Sequence, residues 1–290
     1  MHDGADPIHY ADSMSTAPRP TPQERLKTRY GEGAPTEPVA WSDVIDHLLD
    51  HRSVRWYLPD AVSEAQLRAI IAAAQSAPTS SNLHAWSVVA VSDAGLRERL
   101  SELVGNQPHV RQAPVQLVWM ADLSMLDRLS QAQDHAAQGL DYLEMFLLGA
   151  LDAAFASQNA SIAAESIGLS TVYIGGIRNH MDQVAELLGA PPRVAPVFGM
   201  CLGTADAARP ASVKPRPPQS VVLHRDRYDV EAALPGLAQY EDVMLQFYRE
   251  QAMDADSWMK RSLNRVGTPA SLHGRDRLRE MLQRLGFPLK

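Results

Sequence analysis

Apolar residues recur at helical spacing from Trp41 to Asp50, where Trp41, Val44, Ile45, Leu48 and Leu49 share a face and Ser42 is placed to cap. A second helix opens at Ser63-Glu64-Ala65-Gln66, which has the capping-box spacing; Leu67, Ile70, Ile71 and Ala74 form its stripe, and it ends near Pro78. The runs Trp86–Val91 and Val115–Ala121 are apolar without a helical period and predict buried strands, with a helix over Leu96–Leu103 between them. An Ala-rich helix is expected from Gly139 to Ser166. Its stripe of Leu147, Leu151, Ala154, Phe155, Ile162 and Ala163 is too apolar to face water, so it predicts a central core or a subunit interface. Strands over Leu169–Ile174 and Ala195–Leu202 flank a helix from Met181 to Leu188 that ends at Gly189 and Pro191. Helical spacing returns around Tyr240–Arg249. The order is one of mixed helices and strands, without an internal repeat.

Residues 1–40 carry Pro18, Pro20, Pro22, Gly31, Gly33, Pro35 and Pro38 and show no hydrophobic period, so a mobile arm is expected there. The last forty residues are polar with weak periodicity and predict an extended excursion rather than core. The division expected is an arm over 1–40, a domain over 41–235 and a C-terminal arm over 236–290. A chain of 290 residues, 45% hydrophobic and 21% charged, can bury a core without disulfides or structural metal. Its net charge of −7 argues against a nucleic-acid or membrane-surface protein, and no apolar stretch is long enough to predict a signal peptide or a membrane span. The single cysteine, Cys201, sits in the run Val197-Phe198-Gly199-Met200-Cys201-Leu202 and is read as a small core residue; a cytoplasmic location fits that usage.

An acidic chain that binds an anion must place cations locally, and three clusters and one stiff segment have the means. His51-Arg52-Ser53-Val54-Arg55 offers two guanidiniums and a hydroxyl, which suit phosphate; a solvated basic turn is the alternative. Thr79-Ser80-Ser81-Asn82, between a helix and a strand, offers short donors to a polar ligand, or is an ordinary connection. Tyr173-Ile174-Gly175-Gly176 ends a strand with two residues lacking Cβ, which admits a flat ligand or a tight turn. Lys214-Pro215-Arg216-Pro217-Pro218 holds two cations on an extended backbone. Dinucleotide-fold, P-loop, nucleophile-elbow and zincin motifs are absent.

In this order the segments resemble the nitroreductase superfamily of FMN proteins, in particular its NADPH-flavin oxidoreductase and major oxygen-insensitive nitroreductase branch. H-R-S-V-R, Y-I-G-G-I-R-N and F-G-M-C-L-G with a later K-P-R-P-P carry the resemblance, which runs from about His51 to Tyr228. It implies an α+β fold, a mixed sheet flanked by helices, in an intertwined homodimer with FMN at the interface. It implies electron transfer from NADPH or NADH, through FMN, to a nitroaromatic, quinone or free flavin in a ping-pong cycle, with no obligate catalytic side chain. Arg52, Ser53, Arg55, Lys214 and Arg216 would hold the phosphate, with His51 close by. Thr79, Ser80, Ser81 and Asn82 match a loop that reaches the flavin from the partner subunit, and Gln107 a residue near the pyrimidine end. Tyr173, Ile174, Gly175 and Gly176 match the segment along the isoalloxazine, and Glu144 a carboxylate near its reactive side.

Arg249 matches an arginine on the nicotinamide nucleotide, yet the basic cluster expected after it is here Met253-Asp254-Ala255-Asp256, which would repel a 2′-phosphate. His84 stands where the family loop has an amide. A specialised dehalogenase or tailoring oxidoreductase, and a flavin-binding protein without turnover, are the alternative readings.

Overall fold

The computed structural model describes residues 19–254 and 256–290. Largely apolar runs build a four-stranded sheet from β1 (Trp86–Val91), β2 (Val115–Asp122), β3 (Ser170–Ile174) and β4 (Val194–Gly203), in the order β1-β2-β4-β3. The α+β class holds, but every pairing among the described strands is antiparallel, where a mixed sheet was expected. β2 is central and buried on both faces, so its sequence is a continuous apolar run rather than an alternation. Cys201 of β4 lies wholly buried, and burial pushes its thiol up to about 12, which removes it from nucleophilic chemistry at neutral pH.

The helices in chain order are α1 (Pro22–Tyr30), α2 (Asp43–Asp50), α3 (Glu64–Gln75), α4 (Ala94–Leu103), α5 (Pro108–Gln112), α6 (Ser124–Ala132), α7 (Leu143–Ser166), α8 (Met181–Leu187), α9 (Leu234–Glu250), α10 (Trp258–Val266) and α11 (Leu278–Arg284). Ser42 caps α2, and Ser63 with Gln66 closes the expected capping box on α3. α7 crosses the sheet on a line of small residues, Ala153, Ala156, Ala160 and Ala164, all fully buried. Gly149 allows that approach, since a Cβ there would lie 2.7 Å from the carbonyl oxygen of Ala85. The opposite face of α7 presents Leu143, Leu147, Leu151 and Phe155 to solvent.

Two expectations about the ends of the chain are corrected. Residues 1–18 of the expected arm lie outside the described residues, but Pro22–Tyr30 is a helix with a complete capping box at Thr21, Leu26 buried and Arg25 paired with Asp46 and Asp50 of α2. It escapes a periodicity test because a single apolar side chain anchors it, with charge supplying the rest. The C-terminal excursion also returns to the core: Met281, Leu282 and Phe287 are buried with Leu123, Leu140 and Met181, and Phe287 meets Phe146 edge to face. That short apolar run is diluted by the polar residues before it. Among the described residues no helix is long and apolar enough to cross a membrane.

Candidate active site

The strand-like segment after α2 sets the first cluster. Val54 is buried and its N–H donates to the carbonyl of Thr171, while Ser53 and Arg55 alternate to the exposed side. Leu58 donates to Thr204, and Tyr57 bridges to Ala205, so this segment lies along the outgoing end of β4. The chain leaving β4 then brings Arg209, Ser212, Lys214 and Arg216 back past it. His51, Arg52, Ser53, Arg55, Lys214 and Arg216 line one cavity of about 270 Å³. Two segments far apart in sequence, each read as an anion-binding candidate, therefore meet.

The cations in this cavity crowd one another. Desolvation, then Arg55, Arg216 and Arg261, hold the Lys214 ammonium below its ordinary value. Arg29 of α1, at 4% exposure, is lowered to about 10 by burial and then by Arg216. Asp50 pairs with both Arg52 and Arg25, and His51 Nδ1 lies 2.7 Å from Glu165 Oε1. A site with this excess of positive charge over a small volume suits a multiply charged oxyanion.

Other expected residues lie elsewhere in the single chain. Thr79 Oγ1 donates to Asp152 Oδ2 at 2.6 Å and the Ser80 N–H to Asp152 Oδ1 at 3.1 Å, so the 79–82 loop is tied to α7. Ser81 and Asn82 hold positive φ values of 51° and 57°. Tyr173 Oη donates to Ser157 Oγ at 3.1 Å, and its ring meets Phe198 edge to face. Ile174 is buried in the sheet core, so only its backbone can face a ligand. Gly176 is demanded by packing, because a Cβ would fall 2.5 Å from the Val104 carbonyl oxygen and 3.0 Å from Gln107 Nε2; that contact also places Gln107 beside the glycine pair. Gly175 is more open and has Arg178 and Arg275 nearest to it. Glu144 is exposed in the first turn of α7, where a carboxylate also suits the helix dipole. Arg249 is exposed in the last turn of α9 and does not line the cation cavity, whereas Phe247, Gln251 and Met253 do.

Sequence reading missed Arg29, Arg209 and Ser212, which also line this cavity. Arg209 stacks over Trp56 at 4.2 Å, and Ser212 Oγ donates to Gln251 Oε1 at 2.6 Å. It also missed Arg265 and Arg275 near Gly175: burial, then Arg265, lowers the basicity of Arg178, and burial, then Arg178 and Arg265, that of Arg275. Arginines spread this widely carry no local motif. Among the described residues no group of His, Cys, Asp and Glu is arranged to hold a metal ion.

The model of the nitroreductase family matches residues 48–204, and that of the nitroreductase family C-terminal domain matches 214–290. The chain belongs to the nitroreductase family. This nitroreductase-family chain is 40% identical over 234 residues to the oxygen-insensitive NADPH nitroreductase of Salmonella typhimurium, covering 79% of this chain and 94% of that one. It is 36% identical over 228 residues to the FMN reductase (NADPH) of Bacillus subtilis, covering 77% and 91%. The solved NfrA1 nitroreductase of B. subtilis superimposes with a TM-score of 0.80 at 33% identity, over 86% of this chain and all of that one. The NADPH:FMN oxidoreductase of Vibrio harveyi complexed with NAD+ does so with a TM-score of 0.76 at 33% identity, over the same shares. The family boundary between 204 and 214 puts the Lys214–Arg216 segment with the C-terminal region, earlier than the division expected at 235.

Proposed function

We propose that this chain is an FMN-dependent NAD(P)H oxidoreductase that reduces nitroaromatics, quinones or free flavin, with the cation cavity as the seat of the FMN phosphate. One observation carries the reading: Arg52, Ser53 and Arg55 from one segment and Lys214 and Arg216 from another line a single cavity in a chain of this family. The donor set fits the group, because guanidinium forks and an ammonium match phosphate oxygens, and a bound dianion offsets the repulsion from Arg55, Arg216 and Arg261 that adds to desolvation in lowering Lys214. When bound, FMN supplies the reversible two-electron chemistry.

The chain's own residues then bind and orient. Arg52, Arg55, Lys214 and Arg216 neutralise the phosphate, Ser53 adds a hydroxyl donor, and Glu165 steadies His51 at the edge of the cavity. The Gly175–Gly176 backbone, Gln107 and Tyr173 are proposed along the ring system, with Glu144 near its reactive side and the Thr79–Asn82 loop completing the site from the second subunit. The exposed apolar line of Leu143, Leu147, Leu151 and Phe155 supports a homodimer across α7, since a stripe of this length on a monomer surface is costly to leave in water. Arg249 is kept as a nicotinamide-nucleotide contact, and a cytoplasmic location goes with the single buried cysteine.

The direct test is flavin retention. Arg52→Ala combined with Arg216→Ala is expected to lose FMN on dialysis while remaining folded; undiminished occupancy would place the phosphate elsewhere.

A further inference from the structure

We propose that Arg29 is a positioning residue for the phosphate site: from a helix outside both matched family regions, it clamps the corner after α2 to the Lys214–Arg216 segment and fixes the spacing of the cations. The inference rests on the FMN reading given above.

The bonding at Arg29 is concentrated on these two segments. Its Nη1 donates to the carbonyl of Lys214 at 2.8 Å, and its Nη2 donates to the carbonyls of Leu49 at 2.5 Å and His51 at 2.8 Å. Its own carbonyl accepts the Arg216 N–H at 2.7 Å. One residue therefore engages the backbone of both cation-bearing segments, immediately beside Arg52 on one side and at Lys214 and Arg216 on the other. A planar fork can serve carbonyls in several directions at once, which a lysine ammonium on a flexible stem does less well. Its position is set in turn by α1, through buried Leu26 and the pairing of Arg25 with Asp46 and Asp50.

Burial of this guanidinium beside other cations is unfavourable, as the lowered basicity of Arg29 shows. Hydrophobic anchoring of α1 alone does not call for it, and an apolar residue would seat the helix with less penalty. The arrangement is accounted for if the carbonyls must be held so that Arg52, Lys214 and Arg216 converge, with a phosphate dianion offsetting the crowded charge. The family model begins at residue 48, so this clamp is an addition to the matched fold.

The test compares FMN with riboflavin, which lacks the phosphate, in fluorescence titrations of the full-length apoprotein, wild type and Arg29→Gln, with thermal unfolding of each. The wild type is expected to prefer FMN. Arg29→Gln is expected to weaken FMN by about tenfold or more while leaving riboflavin affinity unchanged, so the preference collapses. Unchanged FMN affinity, or a parallel loss for both flavins, would overturn the clamp. Arg29→Lys keeps the charge without the fork and decides the matter if the Gln variant does not fold; it is expected to lose most of the preference, and full retention would overturn the proposal. A wild type that binds FMN no better than riboflavin would overturn the phosphate-site reading and the clamp with it; a preference that survives both substitutions would overturn the clamp alone.

Discussion

Glu165 joins His51 to the sheet: its Oε1 lies 2.7 Å from His51 Nδ1 and accepts from Thr171 Oγ1 at 3.1 Å. The Thr171 hydroxyl is also 2.8 Å from Ser161 Oγ, so the corner that carries Arg52 is braced on α7 and β3 together. Glu165→Ala is expected to destabilise the fold by about 1–3 kcal/mol, since it leaves partly buried partners unmatched. The midpoint and slope of urea unfolding check this; an unchanged midpoint would show that water replaces the carboxylate at no cost.

Asp152 does the same for the Thr79–Asn82 loop. It is 2% exposed and accepts from Thr79 Oγ1, the Ser80 N–H and, at 3.4 Å, the Ala85 N–H. Asp152→Ala is expected to cost about 2–4 kcal/mol, because several charge-assisted bonds are lost from a buried position. Hydrogen exchange at the Ser80 and Ala85 amides should accelerate beyond what global unfolding explains. Equal protection in the variant would mean that the positive-φ turn holds itself.

Much of the scaffold was legible because it rests on local rules. Ser63 and Gln66 announce α3, and the continuous apolar runs announce β1, β2 and β4. What was not legible depends on pairings across the chain. Asp152 in an Ala-rich helix carries no local signal for its buried role, which depends on the loop that it satisfies. Arg29 lies on a helix with one buried apolar residue, and its partners are carbonyls, which leave no mark in a sequence. Of the site, the two anion-binding candidates were readable from residue type and line one cavity, whereas Arg209, Ser212 and Gln251 come from connections without a periodic or motif signal, and Phe247 from α9, whose spacing marks a helix and not a site.

The C-terminal end should be acid-sensitive. Asp141 bonds Arg193 Nη2 at 2.7 Å and Lys290 Nζ at 2.6 Å, and these bonds hold its carboxyl below the usual range, that to Arg193 most of all. A carboxylate with a lowered folded pKa binds fewer protons than the unfolded chain. Its contribution is complete above the ordinary carboxylate range and is lost as the pH falls through the lowered value. Asp141→Asn should therefore show a shallower loss of stability with acid than the wild type; parallel curves from pH titrations of thermal unfolding would contradict the pairing.

Donor choice can be tested at Asp254, which follows the cavity-lining Met253, whereas Asp256 is paired with Lys260 at 2.7 Å. NADH is expected to compete well with NADPH, and Asp254→Arg to shift the ratio of kcat/KM toward NADPH by about tenfold, by replacing repulsion of a 2′-phosphate with attraction. A wild type with a strong NADPH preference would show that the acidic segment does not face the nucleotide.

The measurement that bears most directly on the proposed activity is steady-state oxidation of NADPH and NADH by the FMN-reconstituted protein, with a nitroaromatic, a quinone and free FMN as acceptors. Turnover with at least one donor, and parallel double-reciprocal lines as the acceptor is varied, are the expected result. A protein that binds FMN yet oxidises neither donor with any of these acceptors would contradict it.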